Sequence, residues 1–185
     1  DGTDSCNGEH NFGLIRHPHD ALGRYTPLPA YVAFATLTRQ LSGAEFVRPE
    51  QTPETLRSLV FRRYGQEVRA VWSLEPAVLR VQAREPFRTV DLMGLERVVE
   101  PRDGSALLSV RRGEPVYLVG AVEGVTACVT VVLHDRVQAC VGEEIRIPYR
   151  CENVLASPLP IELELAGVRQ RVPAEAMASC AGALA

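Results

Sequence analysis

The chain has 185 residues, of which 46% are hydrophobic, 23% charged and 6% aromatic. That is an ordinary globular composition, which excludes collagen-like, coiled-coil and wholly disordered classes, and the length is too small for a complete (β/α)8 barrel of about 250 residues. The 20 basic residues, all arginine, against 23 acidic ones leave a formal charge of -3, so no overall field gathers nucleic acid or an anionic lipid surface.

Residues 1–26 are dense in Gly, Asp, Asn, His and Pro around one short apolar island, Phe12–Ile15, and read as a long loop broken by an extended segment. The chain opens on Asp-Gly-Thr-Asp without an initiating Met, so it is expected to begin inside a larger polypeptide. Pro27 and Pro29 then mark a helix start, since proline is tolerated in the first turn where backbone N–H groups lack partners. Ala30, Phe34, Leu37 and Leu41 fall at helical spacing, Tyr31 and Ala35 widen the stripe, and Gly43 stands where a left-handed cap belongs, which predicts a helix over Pro29–Ser42. Burying that stripe is worth about 1.5–3 kcal/mol per large side chain, so the helix must dock on a partner surface.

After Thr52-Pro53 the period shortens. Ser58–Arg63 and Glu67–Leu74 flank Tyr64-Gly65-Gln66 as a hairpin, with Val68, Ala70 and Trp72 alternating against Arg69 and Ser73 as in a half-buried strand. Trp72 is thereby assigned to the sandwich core. Further strands are predicted at Val78–Ala83, Arg88–Leu92, Arg97–Glu100, Ala106–Arg111 and Val116–Val119, with turn residues every eight to twelve positions, the pattern of an antiparallel sandwich. A second series begins near Val125 with Ala127–Leu133, Arg136–Cys140, Glu144–Tyr149, Leu159–Leu165 and Arg169–Val172, before the composition falls to Ala, Gly and Ser from Ala174.

The expected fold is therefore mainly β. A loop and helix (1–52) precede an antiparallel β-sandwich (53–120), and a second, incomplete immunoglobulin-like β module follows (121–185). No phosphate-cradling loop, Gly-x-Ser-x-Gly elbow or His-Glu-x-x-His motif occurs, so nucleotide, esterase and zincin chemistry lack a foothold. No cofactor is implied. No apolar run in the sequence comes near the roughly 20 residues that cross a bilayer, and neither a membrane nor a nucleic-acid partner is expected.

Cys6, His10, His17, His19 and Asp20 are metal-ligating residue types, but Pro18 interrupts His17 and His19, and the spacing matches no established zinc site. A solvated loop is the expected reading, with no metal. Five cysteines leave at least one outside any intramolecular pair. Cys128, Cys140 and Cys151 fall on or beside consecutive predicted strands, where a cross-strand or inter-sheet disulfide and a role as small buried hydrophobes are equally compatible. No Cys-x-x-Cys pair is present, and the compartment stays open.

Asp1-Gly2-Thr3-Asp4, Glu9-His10-Asn11-Phe12-Gly13-Leu14 and Pro27-Leu28-Pro29-Ala30-Tyr31-Val32-Ala33 resemble the closing stretch of barrel glycoside hydrolases of the retaining, two-carboxylate type, β-xylosidase-like members included. Leu28 stands where that family's motif has Lys. Leu59-Val60-Phe61-Arg62-Arg63, Val71-Trp72-Ser73, Val90-Asp91-Leu92-Met93-Gly94 and Pro115–Gly120 are similar to the small sandwich that follows such barrels, so the resemblance covers about residues 1–120. It implies that residues 1–52 are a barrel's last loop and helix, with the upstream barrel of the same polypeptide as partner. Both catalytic carboxylates would lie upstream of Asp1, so no catalytic residue is expected in this chain. Glu9, His10 and Asn11 would sit at the barrel mouth as sugar-binding candidates, with carbohydrate bound through the parent enzyme. The same side chains also suit bonds that tie down their own loop. The alternative reading is a non-catalytic carbohydrate-binding or adhesion protein built from β modules.

Overall fold

The computed structural model describes residues 13–21, 23–133, 147–153, 158–165, 168–174 and 178–184. Among these, one helix and thirteen strands follow one another. They are α1 (Pro29–Leu41), β1 (Glu45–Pro49), β2 (Leu56–Arg63), β3 (Gln66–Ser73), β4 (Ala77–Ala83), β5 (Phe87–Val90), β6 (Glu96–Val99), β7 (Ser105–Val110), β8 (Val116–Val119), β9 (Val122–Leu133), β10 (Ile147–Asn153), β11 (Leu159–Leu165), β12 (Val168–Ala174) and β13 (Ala178–Leu184).

Two antiparallel sheets form the sandwich. The first has the order β1-β2-β3-β8-β5-β6 and the second β13-β10-β9-β4-β7, while β11 and β12 pair separately as a hairpin. Between the sheets, Leu56, Val71, Phe87 and Leu118 of the first meet Leu79, Val81, Ala83, Val122 and Val125 of the second in one buried cluster. Every one of these nine side chains is at most 5% exposed, so this layer supplies most of the apolar burial that drives folding.

Turn chemistry sets the registers. At the β2–β3 hairpin Arg63 pairs with Gln66, and the two residues between, Tyr64 and Gly65, both have positive φ, 49° and 79°. That is the turn whose twist matches the strands it joins. Asp103 and Gly104 repeat the device between Arg102 and Ser105.

The strand β9 follows directly on the division placed after residue 120 and lies in the second sheet of the sandwich. Its residues pair with β4 from Ala77↔Thr130 to Ala83↔Val122, and Val122 and Val125 enter the inter-sheet core. Gly120, with φ 131°, carries the chain from β8 in one sheet to β9 in the other, so the turn at this position is a corner of the sandwich. Beyond β9, β10 and β13 widen the second sheet. The predicted strand Arg136–Cys140 lies outside the described residues.

Two side-chain assignments also change. Both faces of β3 are covered, so the alternation does not separate buried from exposed: Val68 and Ala70 are buried, and so are Arg69, Val71 and Ser73. Trp72 is only half-buried and shares the face of Val68 and Ala70, away from the inter-sheet core to which its hydrophobicity assigns it.

That second face carries its own cluster of Val68, Ala70, Val90, Tyr117 and Val119, against which Leu41 of α1 and Phe61 pack. The helix starts with proline at its first position, and the ladder Ile15↔Pro27, with the Leu28 N–H donating to the Leu14 carbonyl, leads the chain into it. It ends with the Ser42 N–H donating to the Thr38 carbonyl, followed by Gly43 at φ 71°. The Arg63 guanidinium donates to the Arg39 carbonyl, which sets a cation at the negative end of the helix dipole.

Candidate functional site

The apolar stripe of α1 faces outward. Tyr31, Phe34 and Leu37 are 42%, 56% and 40% exposed, while the buried helix positions are Thr36 and Gln40. The side that meets the sandwich is thus the polar one, with Thr36 set against the Asp91–Gly94 turn, close enough that a Cβ on Gly94 would lie 3.0 Å from its hydroxyl oxygen. Leu41 at the end of the helix packs against the Val68, Ala70 and Tyr117 cluster of the sheet. Leu14, Ile15 and Tyr25 on the preceding ladder add further exposed apolar surface. An amphipathic helix ordinarily turns its apolar face inward, and here the described residues leave that face uncovered.

The loop before the helix is ordered by its own bonds. The Arg16 N–H donates to the Thr26 carbonyl at 2.9 Å, and Arg16 and Asp20 form an ion pair at 3.0 Å. His17 Nδ1 accepts from the His19 N–H at 3.2 Å, with the two rings tilted 5.2 Å apart. Among the described residues no group of three or more His, Cys, Asp or Glu side chains is placed to hold a metal ion. The sugar-binding candidates Glu9, His10 and Asn11 lie outside the described residues, as do Cys6 and Cys140.

A cleft of about 760 Å³ opens between the sheets on the side of β6 and β7, the free edges of the two sheets. Asp91, Glu100, Glu114, Arg97 and Arg111 are among the side chains that line it, Arg111 and Glu114 as neighbours 3.7 Å apart, and no aromatic ring lines it. Sugar rings are held by stacking on aromatic faces as well as by hydrogen bonds, and this cleft offers only mixed charge and aliphatic side chains.

Sequence reasoning missed a charged cluster at the sandwich core. Arg69, whose side chain is 2% exposed, places Nε 3.1 Å from Glu50 and Nη2 3.0 Å from Glu67. The Ser58 hydroxyl donates to the second oxygen of Glu50 at 2.6 Å. A buried cation is tolerated only when paired in this way. The available clue is one arginine inside the apolar stretch Val68–Trp72 of β3. On the helix side, burial pushes the Tyr117 phenol above its usual pKa, which keeps it neutral.

No family model and no curated protein matches the chain. Among solved structures it is similar to a family 39 glycoside hydrolase from the gut symbiont Bacteroides cellulosilyticus WH2, with 27% identity and a TM-score of 0.54 over 65% of this chain and 24% of that one. The chain therefore spans about a quarter of the length of that enzyme. The likeness relates 65% of this chain to part of a glycoside hydrolase.

Proposed function

We propose that the chain is the accessory, C-terminal part of a retaining glycoside hydrolase, and that α1 closes the outer layer of the parent's (β/α)8 barrel. The observation that carries this reading is the orientation of the helix. Its Tyr31, Phe34 and Leu37 face is exposed while Thr36 and Gln40 are buried, which is the wrong way round for a helix that covers only its own sandwich. The likeness to a family 39 glycoside hydrolase supports the choice of partner.

In this reading the two carboxylates of the double displacement, about 5–5.5 Å apart in retaining enzymes, belong to the barrel. The sandwich braces the barrel flank, and residues 1–13 border the sugar-binding mouth, where Glu9, His10 and Asn11 meet substrate hydroxyls. The substrate is an oligosaccharide cleaved from its end in the manner of a β-xylosidase. The chain by itself is structural.

The test compares this chain alone with the same chain joined to the barrel encoded ahead of it, on aryl glycosides and by the anomeric configuration of the first product. The expected result is hydrolysis with retention by the joined protein and none by the chain alone. A preceding coding sequence without a barrel, or glycan binding by the isolated chain at the β6–β7 cleft, overturns the proposal.

A further inference from the structure

The edge strand β13 pairs with β10 over its whole length, and in that ladder Cys151 stands directly opposite Cys180. Directly opposed residues of an antiparallel pair have Cα atoms about 5.5 Å apart where they exchange hydrogen bonds and about 4.5 Å apart where they do not. A disulfide spans Cα separations of about 4.4–6.8 Å. The Cα separation of either kind of pair lies in that range, and a non-hydrogen-bonded pair brings its Cβ atoms nearest to the about 3.5–4.5 Å that the bond requires. Cys128 has no such relationship, because the β9–β10 ladder sets Val129 against Asn153 and Val131 against Cys151.

Beyond its backbone ladder with β10, the strand that such a bond would fasten is poor in large apolar residues. Its sequence is Ala-Ser-Cys-Ala-Gly-Ala-Leu, made largely of small residues that are depleted in strands and bring little apolar area to a sheet. It also forms the outer edge of the second sheet, beyond β10, where fraying begins. Cys151 itself is 1% exposed, so a bond at this position is screened from reductants until β13 lifts away.

We propose that Cys151 and Cys180 form a cross-strand disulfide in an oxidising thiol–disulfide environment, fastening β13 to the sandwich. The oxidant is a low-molecular-weight disulfide. One cysteine thiolate attacks it, forming a mixed disulfide and releasing one small thiolate. The second cysteine thiolate then displaces the other, giving the protein disulfide. The two protons lost by the cysteines end on the two small thiols, and the small disulfide is reduced as the protein thiols are oxidised.

The experiment equilibrates the intact protein with oxidised glutathione, alkylates remaining thiols under denaturing conditions, and maps unreduced peptides by mass spectrometry. The expected product joins the peptides of Cys151 and Cys180, lighter than their sum by two hydrogens, with Cys128 alkylated. The oxidised protein should melt about 5 °C above the reduced one, and Cys180→Ser should abolish that difference. The peptide map of the wild-type protein decides the matter even if Cys180→Ser does not fold. Recovery of Cys151 joined to Cys6, Cys128 or Cys140, or of Cys151 and Cys180 both alkylated after full oxidation, overturns the assignment.

Discussion

Glu50 reaches from the end of β1 to Arg69 in the middle of β3, with its Oε1 3.1 Å from the guanidinium Nε. Arg69 shares its face of the sheet with Val71 and with its cross-strand neighbours Val60 and Leu118, all fully buried. Its Nη1 has no hydrogen-bond partner among the described residues, so the cluster already carries one uncompensated donor. Removing one member of a buried ion pair costs about 3–5 kcal/mol, because the other charge is left desolvated, whereas replacing both with apolar groups is often neutral. Glu50→Leu is expected to destabilise by about 3 kcal/mol, at the low end because Glu67 still faces Arg69. Glu50→Leu with Arg69→Met should cost less than Glu50→Leu alone. Urea denaturation of the three variants measures both, and strictly additive losses would show that the pair is not coupled.

The two sides of α1 should respond in opposite ways to the same charge. Leu37 is exposed, and Leu37→Asp is expected to shift the stability of the chain by no more than about 0.5 kcal/mol while raising its solubility. Leu41 packs against the Val68, Ala70 and Tyr117 cluster, and Leu41→Asp should cost about 2 kcal/mol from lost apolar contact and carboxylate desolvation. Joined to a barrel that covers the stripe, Leu37→Asp becomes the damaging change. Thermal melts of both variants in both contexts check this, and a large loss from Leu37→Asp in the chain alone would contradict the outward orientation.

Much of this fold was readable where local chemistry and tertiary structure agree. Tyr64-Gly65 and Asp103-Gly104 are turn dipeptides, and the strands they bound lie within two residues of where the apolar runs place them. The strand β1, Glu45–Pro49, was not readable. It is a short edge strand ending in proline, and its register with β2 shifts between Phe46 and Arg48, so pairing creates it more than propensity does. The same holds for β13, whose alanines and glycine carry no strand pattern. Arg69 misled because strand alternation equates polar with exposed, and a strand covered on both faces breaks that equation. The outward stripe of α1 was legible as apolar, but only coordinates show which side meets the sandwich. The candidate sugar-binding residues Glu9, His10 and Asn11 fall outside the described residues.

Gly94 couples the β5–β6 turn to the helix. The Asp91 carboxylate accepts from the Met93 and Leu95 N–H groups, each at 2.9 Å, and the turn closes with Gly94 at φ 83°. An added Cβ would meet left-handed backbone strain of about 1–2 kcal/mol and would also lie 3.0 Å from the Thr36 hydroxyl oxygen. Gly94→Ala should therefore destabilise by about 2 kcal/mol, with Thr36→Ala restoring only the part due to the contact. Denaturation of the single and double variants separates the two terms, and full rescue by Thr36→Ala would mean that the backbone is not strained.

Tyr117 gives the protein an alkaline weakness with a defined sign. Burial raises its phenol above the ordinary value of 10.0, and it sits at 2% exposure among Val68, Ala70, Val90 and Val119. Well below that ordinary value both folded and unfolded chains carry the proton, and the residue adds no pH dependence. As the pH rises past it the unfolded chain releases a proton that the folded chain keeps, so stability falls with a slope of at most about 1.4 kcal/mol per pH unit, until the folded value is passed. Tyr117→Phe removes this contribution and preserves the ring. The variant should track the wild-type protein from about pH 7 to about pH 9 and decline less steeply above about pH 10. Urea midpoints across that range make the comparison, and parallel curves for the two proteins at high pH would show that Tyr117 does not titrate differently on folding.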